Sequence, residues 1–203
     1  MNFEYAYMMN DTITYYNQNA SAYAKDTFSA DCSAIQEKFM SKLASGAKVF
    51  DFGCGTGRDA LVFLQNEYDV IATDGSEEMC RIASENTGLT VEQLYFQDLD
   101  YQEEFDGIWA CASILHLSYQ ELTAVLPKMA VALKPGGIIY TSFKYGDFEG
   151  IRNGRYFCDF TEERFAGLIA GIPEMTLEEQ WISQDVRPGR GTERWLNSIL
   201  RKI

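Results

Sequence analysis

Val49-Phe50-Asp51-Phe52-Gly53-Cys54-Gly55-Thr56-Gly57-Arg58 decides how this chain is read. An apolar strand runs into glycines at alternate positions and then directly into a helix expected over 57–66. Glycines there let the backbone turn sharply and approach a ligand closely, and the free N–H groups of the helix start face the same point. Asp51, at the strand end, can orient a ligand amine directly or through water. Gly55-Thr56-Gly57-Arg58-Asp59-Ala60 also satisfies the G-x-G-x-x-G/A form that seats a pyrophosphate, so these residues alone leave two kinds of nucleoside cofactor open.

Outward from this stretch, strand-like runs alternate with helical patterns. YDVIAT, a helix over 76–85, TVEQLYFQ, FDGIWACA and GGIIYTSFK follow in turn. Such alternation predicts a parallel sheet with helices on both faces. Ser76-Glu77-Glu78, the capping box Ser118-Tyr119-Gln120-Glu121 and Thr161-Glu162-Glu163 mark helix starts. Two helical segments, 11–27 and 31–44, precede the first strand. LEEQWISQDV and RWLNSILRKI, either side of Pro188-Gly189, read as antiparallel strands closing the sheet edge. No repeat or linker divides the chain, so one domain over 1–203 is expected, with a helical cap (1–47) on a sheet core (48–203). The fold class is α/β, doubly wound: a mostly parallel seven-stranded sheet with an antiparallel C-terminal strand.

Three further motifs carry chemistry. Asp74 ends the second strand, where a carboxylate can accept both ribose hydroxyls; as Asp74-Gly75-Ser76 it also reads as a helix cap. Met79 lies one turn into the next helix, where its sulfur can pack on adenine or in the core. Phe96-Gln97-Asp98-Leu99 offers an acid for an exocyclic amine and an N–H for a ring nitrogen. Leu133-Lys134-Pro135-Gly136-Gly137 stops a helix and feeds the fifth strand through a glycine turn.

Taken together, DFGCGTG, ATDGSEEM, FQDL and LKPGG resemble, in order and spacing, the motifs of class I S-adenosylmethionine-dependent methyltransferases over residues 49–143. The combination favours S-adenosylmethionine over a dinucleotide. YYNQNASAYA, GCGTGRDA and FCDFTEERF further resemble the small-molecule branch that includes tellurite-resistance-type methyltransferases. The resemblance implies cofactor contacts at Gly53, Cys54, Gly55, Gly57, Asp74, Gly75, Met79, Asp98, Leu99, Ala110 and Cys111. Arg58 could pair with the cofactor carboxylate, since a guanidinium fork matches it, or lie solvated beside Asp59.

Methyl transfer from a sulfonium is an in-line displacement with an activated leaving group, so the protein chiefly supplies position and exclusion of water. A base is needed only if the acceptor must lose a proton. The one histidine, His116, follows the fourth strand and is the candidate; the alternative is a loop contact. Tyr15, Tyr16 and Tyr23 form a lid or core, a lid placing Tyr15 against the cofactor and Tyr16 against the acceptor. KYGDFEGIRNGRYF reads as a loop at the carboxyl end of the sheet, where Lys144, Arg152, Arg155 and Tyr156 would bind the acceptor. Arg187, Arg190 and Arg194 could join them and favour an anionic one.

Composition bounds these readings. Net charge is −13, which opposes a nucleic-acid partner, since a phosphate backbone needs a basic face. Yet residues 144–203 hold nine of the 17 Lys and Arg. Five cysteines without a CxxC pair, and one histidine, argue against zinc or a disulfide framework and fit a reducing, cytoplasmic setting. MNFEYAYMMNDT lacks the pattern of a secretory signal, no apolar run is long enough to span a bilayer, and no Asn/Asp-Pro-Pro-Tyr/Phe motif for amino methylation of nucleic acid occurs.

Overall fold

β1 (Lys48–Phe52) is buried on both faces: Val49 turns one way and Phe50 and Phe52 the other. A strand covered on both sides belongs inside a layered α/β fold. The computed structural model describes residues 3–203, with side chains from Asp11 onward. Most of the stretch read for a secretory signal lies outside those side chains.

The chain begins with α1 (Phe3–Thr27) and α2 (Ser33–Met40). Beyond β1 come α3 (Arg58–Gln65), β2 (Asp69–Asp74), α4 (Glu77–Thr87), β3 (Glu92–Gln93) and β4 (Phe105–Ala110). α5 (Tyr119–Ala132), β5 (Leu133–Lys144), β6 (Glu149–Arg152), β7 (Arg155–Cys158), α6 (Glu162–Ile169), β8 (Met175–Gln184) and β9 (Arg194–Lys202) complete it. The main sheet has seven strands in the order β3-β2-β1-β4-β5-β9-β8. β1 pairs in parallel with β2 and β4, while β9 runs antiparallel to β5 and β8. The expected fold class is therefore found. Strand order reverses between β1 and β4, and a crevice opens there beyond the carboxyl ends of the strands.

The helix starts follow the expected chemistry. Ser76 and Thr161 accept from backbone N–H groups three residues on, and Ser118 with Glu121 closes a full capping box. One face of the sheet buries Phe50, Phe52 and Phe143 against α5 and α6; the other buries Val49, Trp109 and Tyr140 against α2, α3 and α4.

Three local expectations change. TVEQLYFQ pairs only at Glu92 and Gln93 before a 3₁₀ turn over Phe96–Asp98, because as an edge strand it meets only the tip of β2. LKPGG does not separate α5 from β5 as a plain turn. Leu133 already pairs with Phe105, pairing resumes at Ile138 with Gly107, and the residues between bulge outward. The run read as a loop after β5 is the hairpin β6–β7. Asn153 (φ 52°) and Gly154 (φ 76°) both take left-handed conformations at its turn, the Asn-Gly geometry that matches strand twist.

Candidate functional site

The glycine turn is shaped by two close approaches. Gly53 (φ 82°) packs its Cα side against Ser113, and a Cβ there would stand 2.5 Å from the Ser113 Cβ. Ser113 Oγ in turn donates to the Phe52 carbonyl at 2.7 Å, fixing the loop after β4 against the end of β1. Gly55 (φ 56°) has open space where a Cβ would sit. Its N–H donates to Asp74 Oδ2 at 2.9 Å, while the Ser76 N–H donates to Oδ1 at 2.8 Å. Asp74 thus ties the glycine turn to the start of α4 and keeps lone pairs for a ligand.

A cavity lies over this floor, lined by Asp51, Gly53, Cys54, Gly55, Arg58, Asp74, Gly75, Met79 and Cys111, all expected at a cofactor site. α1 roofs it, hydrogen-bonded at both sides. Asn17 Oδ1 accepts from Ser76 Oγ at 2.6 Å, and Thr12 Oγ1 accepts from the Tyr156 N–H at 3.0 Å.

Asp51 is 2% exposed and its Oδ2 has no hydrogen-bond partner. Burial, and then the negative charge of Asp59, push its carboxyl well above the usual range. Asp59 has the opposite fate. It accepts from Gln36 Nε2 at 2.6 Å, Trp109 Nε1 at 2.9 Å and both Nε and Nη2 of Arg58 at 2.8 Å. Burial alone would raise it, but the Arg58 charge and these bonds hold it below the ordinary value. Arg58 is therefore neither solvated nor free; Asp59 clamps it on the cavity wall.

A second cavity adjoins the first and shares Tyr16, Tyr23, Ala112, His116, Arg187 and Trp195 with it. Its wall carries six cations (Lys144, Arg152, Arg155, Arg187, Arg190, Arg194) against the carboxylates of Asp159 and Glu193. Most are paired. Arg152 meets Asp159 at 2.6 Å, Arg187 meets Asp185 at 2.6 Å, and Lys144 bridges Asp185 (3.1 Å) and Glu193. Among the described residues Arg155 and Arg194 have no carboxylate partner. Arg194 is exposed over the Tyr145 ring, whereas Arg155 sits among aromatic faces, 4.6 Å from the Tyr15 centroid and 5.2 Å from Phe157.

His116 stands on the boundary. Its Nδ1 lies 2.6 Å from the Tyr156 carbonyl, which can only accept, so Nδ1 carries the proton. Nε2, 2.8 Å from the Tyr16 hydroxyl, is then the acceptor of that O–H. Burial pushes the imidazole down to about 4, only partly offset by the Tyr156 carbonyl.

The structure does not bring every expected residue to the cavities. Leu99 is in the core, Asp98 faces solvent, and Gly57 and Ala110 are buried away from the lining; Leu94, Tyr95 and Phe96 line that wall instead. Gly57 packs α3 on α4, where a Cβ would meet Thr87 at 2.8 Å. Tyr15 backs Arg155 and is absent from both cavity linings, while the Tyr156 hydroxyl turns to Glu149 and its carbonyl meets His116. Ala112 (φ 51°), a non-glycine residue in the left-handed region on both cavity walls, has no sequence signal; such strain collects at functional sites. Trp195 and Asp185 reach the site through the closing hairpin.

Comparison with known proteins agrees with this geometry. Residues 49–137 match the family model described as a methyltransferase domain. An uncharacterised methyltransferase of Staphylococcus carnosus (strain TM300) is 28% identical over 135 residues, 62% of this chain; the match spans 65% of that relative's length. Among solved structures, 1,6-didemethyltoxoflavin-N1-methyltransferase of Burkholderia thailandensis, with 1,6-didemethyltoxoflavin and S-adenosylhomocysteine bound, superposes with a TM-score of 0.75 at 22% identity, covering 98% of this chain and 89% of that one. A TehB-like S-adenosylmethionine-dependent methyltransferase of Corynebacterium glutamicum gives 0.71 at 18% identity, covering 94% and 100%.

Proposed function

Since residues 49–137 match the model of a methyltransferase domain and the fold is shared with solved methyltransferases, we propose that the protein uses S-adenosylmethionine to methylate a small anionic acceptor. The observation that carries this reading is the pairing of two unlike cavities across one shared wall. The first presents four carboxyl groups (Asp51, Asp59, Asp74 and Asp185) with two guanidiniums, both paired to them (Arg58 to Asp59, Arg187 to Asp185), a setting for a cationic amino-acid-bearing nucleoside and a poor one for a pyrophosphate. The second presents six cations and suits an anion.

When bound, S-adenosylmethionine supplies a methyl group on a positively charged sulfur. The chain's own residues would hold it. The orphaned Asp51 Oδ2 fits an ammonium, Arg58, kept in place by Asp59, fits a carboxylate, and the remaining lone pairs of Asp74 fit ribose hydroxyls. α1 shuts water out of the first cavity, while Arg152 and Arg155 steer the acceptor toward the shared wall of Tyr16 and His116. Helices 1–47 and the sheet core 48–203 then act as one unit. Five free cysteines support a reducing, cytoplasmic setting, and among the described residues no helix is long and apolar enough to cross a membrane.

The test is calorimetry with S-adenosylhomocysteine against NAD, followed by an acceptor screen that detects release of S-adenosylhomocysteine. Binding of the first ligand alone is expected. Saturable NAD binding with no affinity for S-adenosylhomocysteine would return the protein to the dinucleotide reading.

A further inference from the structure

Tyr16 and His116 divide the two cavities, and their hydrogen bonds run in one direction only. The Tyr156 carbonyl holds the proton on Nδ1, Nε2 takes the Tyr16 proton, and Tyr16 Oη in turn accepts from Arg155 Nη1 at 3.3 Å. Both imidazole nitrogens are consequently committed to protein groups, and no lone pair of the ring faces the second cavity. The other bases at hand are also engaged. Asp159 faces Arg152, and Glu193 faces Lys144. Tyr23 and Tyr16 are both held above the ordinary phenol value, first by burial, and they pack edge to face at 5.2 Å.

Arg155 is the complement of this closed chain. Its Nε is buried without a partner, it has no carboxylate among the described residues, and Tyr15, Tyr16 and Phe157 supply π faces around it. Among the described residues a guanidinium assembled this way lacks a counter-charge, which an anionic ligand would provide. The neighbouring wall of Tyr16, Tyr23, Phe157 and Trp195 suits a flat ring.

Resting on the reading of the first cavity as the donor site, we infer that the acceptor is an aromatic acid that enters already ionised and seats its charge on Arg155, with His116 acting as a positioning residue that fixes the Tyr16 hydroxyl. An acceptor that arrives without its proton leaves none for the protein to remove. The substrate class is thereby narrowed to acidic hydroxyl, thiol or ring N–H groups that ionise near neutral pH.

The test uses 4-nitrophenol, whose phenolate is coloured and whose phenol is not, titrated with pH into protein saturated with S-adenosylhomocysteine. Bound probe is expected to ionise about one to three pH units below free probe, the effect of an opposite charge close by. Arg155→Gln should abolish that displacement. His116→Gln, whose amide can donate to Tyr156 and accept from Tyr16 but cannot take a proton, should keep it. His116→Phe should weaken probe binding severalfold by freeing Tyr16. Loss of that displacement in His116→Gln as complete as in Arg155→Gln would make the imidazole the proton acceptor and overturn the proposal. So would probe bound as the neutral phenol, or no saturable binding. Calorimetry of S-adenosylhomocysteine on the same samples separates the two levels: if it binds while the probe fails, the donor site stands and this inference alone falls.

Discussion

Gly53 and Gly55 lie two residues apart in one turn, yet alanine at each should do different damage. Both occupy left-handed backbone (φ 82° and 56°), so any L-residue there costs about 1–2 kcal/mol. At Gly53 the new methyl also stands 2.5 Å from Ser113 Cβ and 3.0 Å from Phe96 Cζ, neighbours held by the Ser113–Phe52 hydrogen bond and the core. Overpacking of that kind adds about 1–3 kcal/mol, for a total of about 2–5 kcal/mol. At about 2–4 °C per kcal/mol for a chain of this size, Gly53→Ala should melt about 4–20 °C below wild type. Gly55→Ala meets nothing within 4 Å, so only the backbone cost applies and its Tm should fall by about 2–8 °C. Its methyl instead stands at the wall of the first cavity, and S-adenosylhomocysteine affinity should suffer in the folded variant. Thermal denaturation followed by calorimetry of both variants measures the split. Should Gly53→Ala prove no less stable than Gly55→Ala, or Gly55→Ala bind S-adenosylhomocysteine like wild type, the assigned roles of the two glycines are wrong.

Asp74→Asn should weaken S-adenosylhomocysteine by roughly ten- to a hundredfold in calorimetry, the worth of hydrogen bonds to a charged group. Because both oxygens accept backbone N–H groups, the amide nitrogen must face Gly55 or Ser76 whichever way it turns. Asp51 should lose a proton when an ammonium binds, since its carboxyl lies well above the usual range in the free protein, chiefly through burial. Calorimetry on the acid side, in buffers of different ionisation enthalpy, should show proton release with S-adenosylhomocysteine and none with 5′-methylthioadenosine, which lacks the amino acid. His116 binds its proton less readily in the folded chain (about 4) than when unfolded (about 6.5). Its contribution is therefore complete above pH 6.5 and is lost as pH falls toward 4, up to about 3 kcal/mol. The raised carboxyls of Asp51, Asp74 and Asp159 slope the other way, so the quantity to read is wild type minus His116→Gln in urea titrations. An imidazole NMR signal that titrates near 6.5 would refute it. Asp59→Asn should cost about 3–5 kcal/mol in urea unfolding, because Arg58 would be left in the wall without its counter-charge.

The motifs were readable because each is local. A glycine turn, a strand-end acid and a capped helix draw their meaning from residues a few positions apart, and DFGCGTG, Asp74 and the Ser76 cap all stand where their chemistry put them. Readings that needed a neighbour from elsewhere were less secure. FQDL offers a carboxylate and the Leu99 N–H to an expected adenine; in the fold the Leu99 side chain packs in the core, Asp98 is exposed, and Leu94, Tyr95 and Phe96 just before them line the cavity. The run around Asn153-Gly154 reads as a loop and folds as a hairpin, because its glycine-broken residues lack the alternation that makes strands visible.

Sequence by itself determined the doubly wound order, the closing antiparallel pair, and the glycine turn and acid at the switch point, because backbone permissiveness and strand periodicity are properties of short segments. Only the tertiary structure decided which charges remain unspent. Arg152, Arg187 and Lys144 find carboxylates far away in the chain or beside them, Arg155 finds aromatic rings, and His116 is locked between a tyrosine 100 residues before it and a carbonyl 40 residues after it. Pairing between charges depends on a few ångströms of separation in a medium of low polarity, and no spacing along the chain encodes that distance.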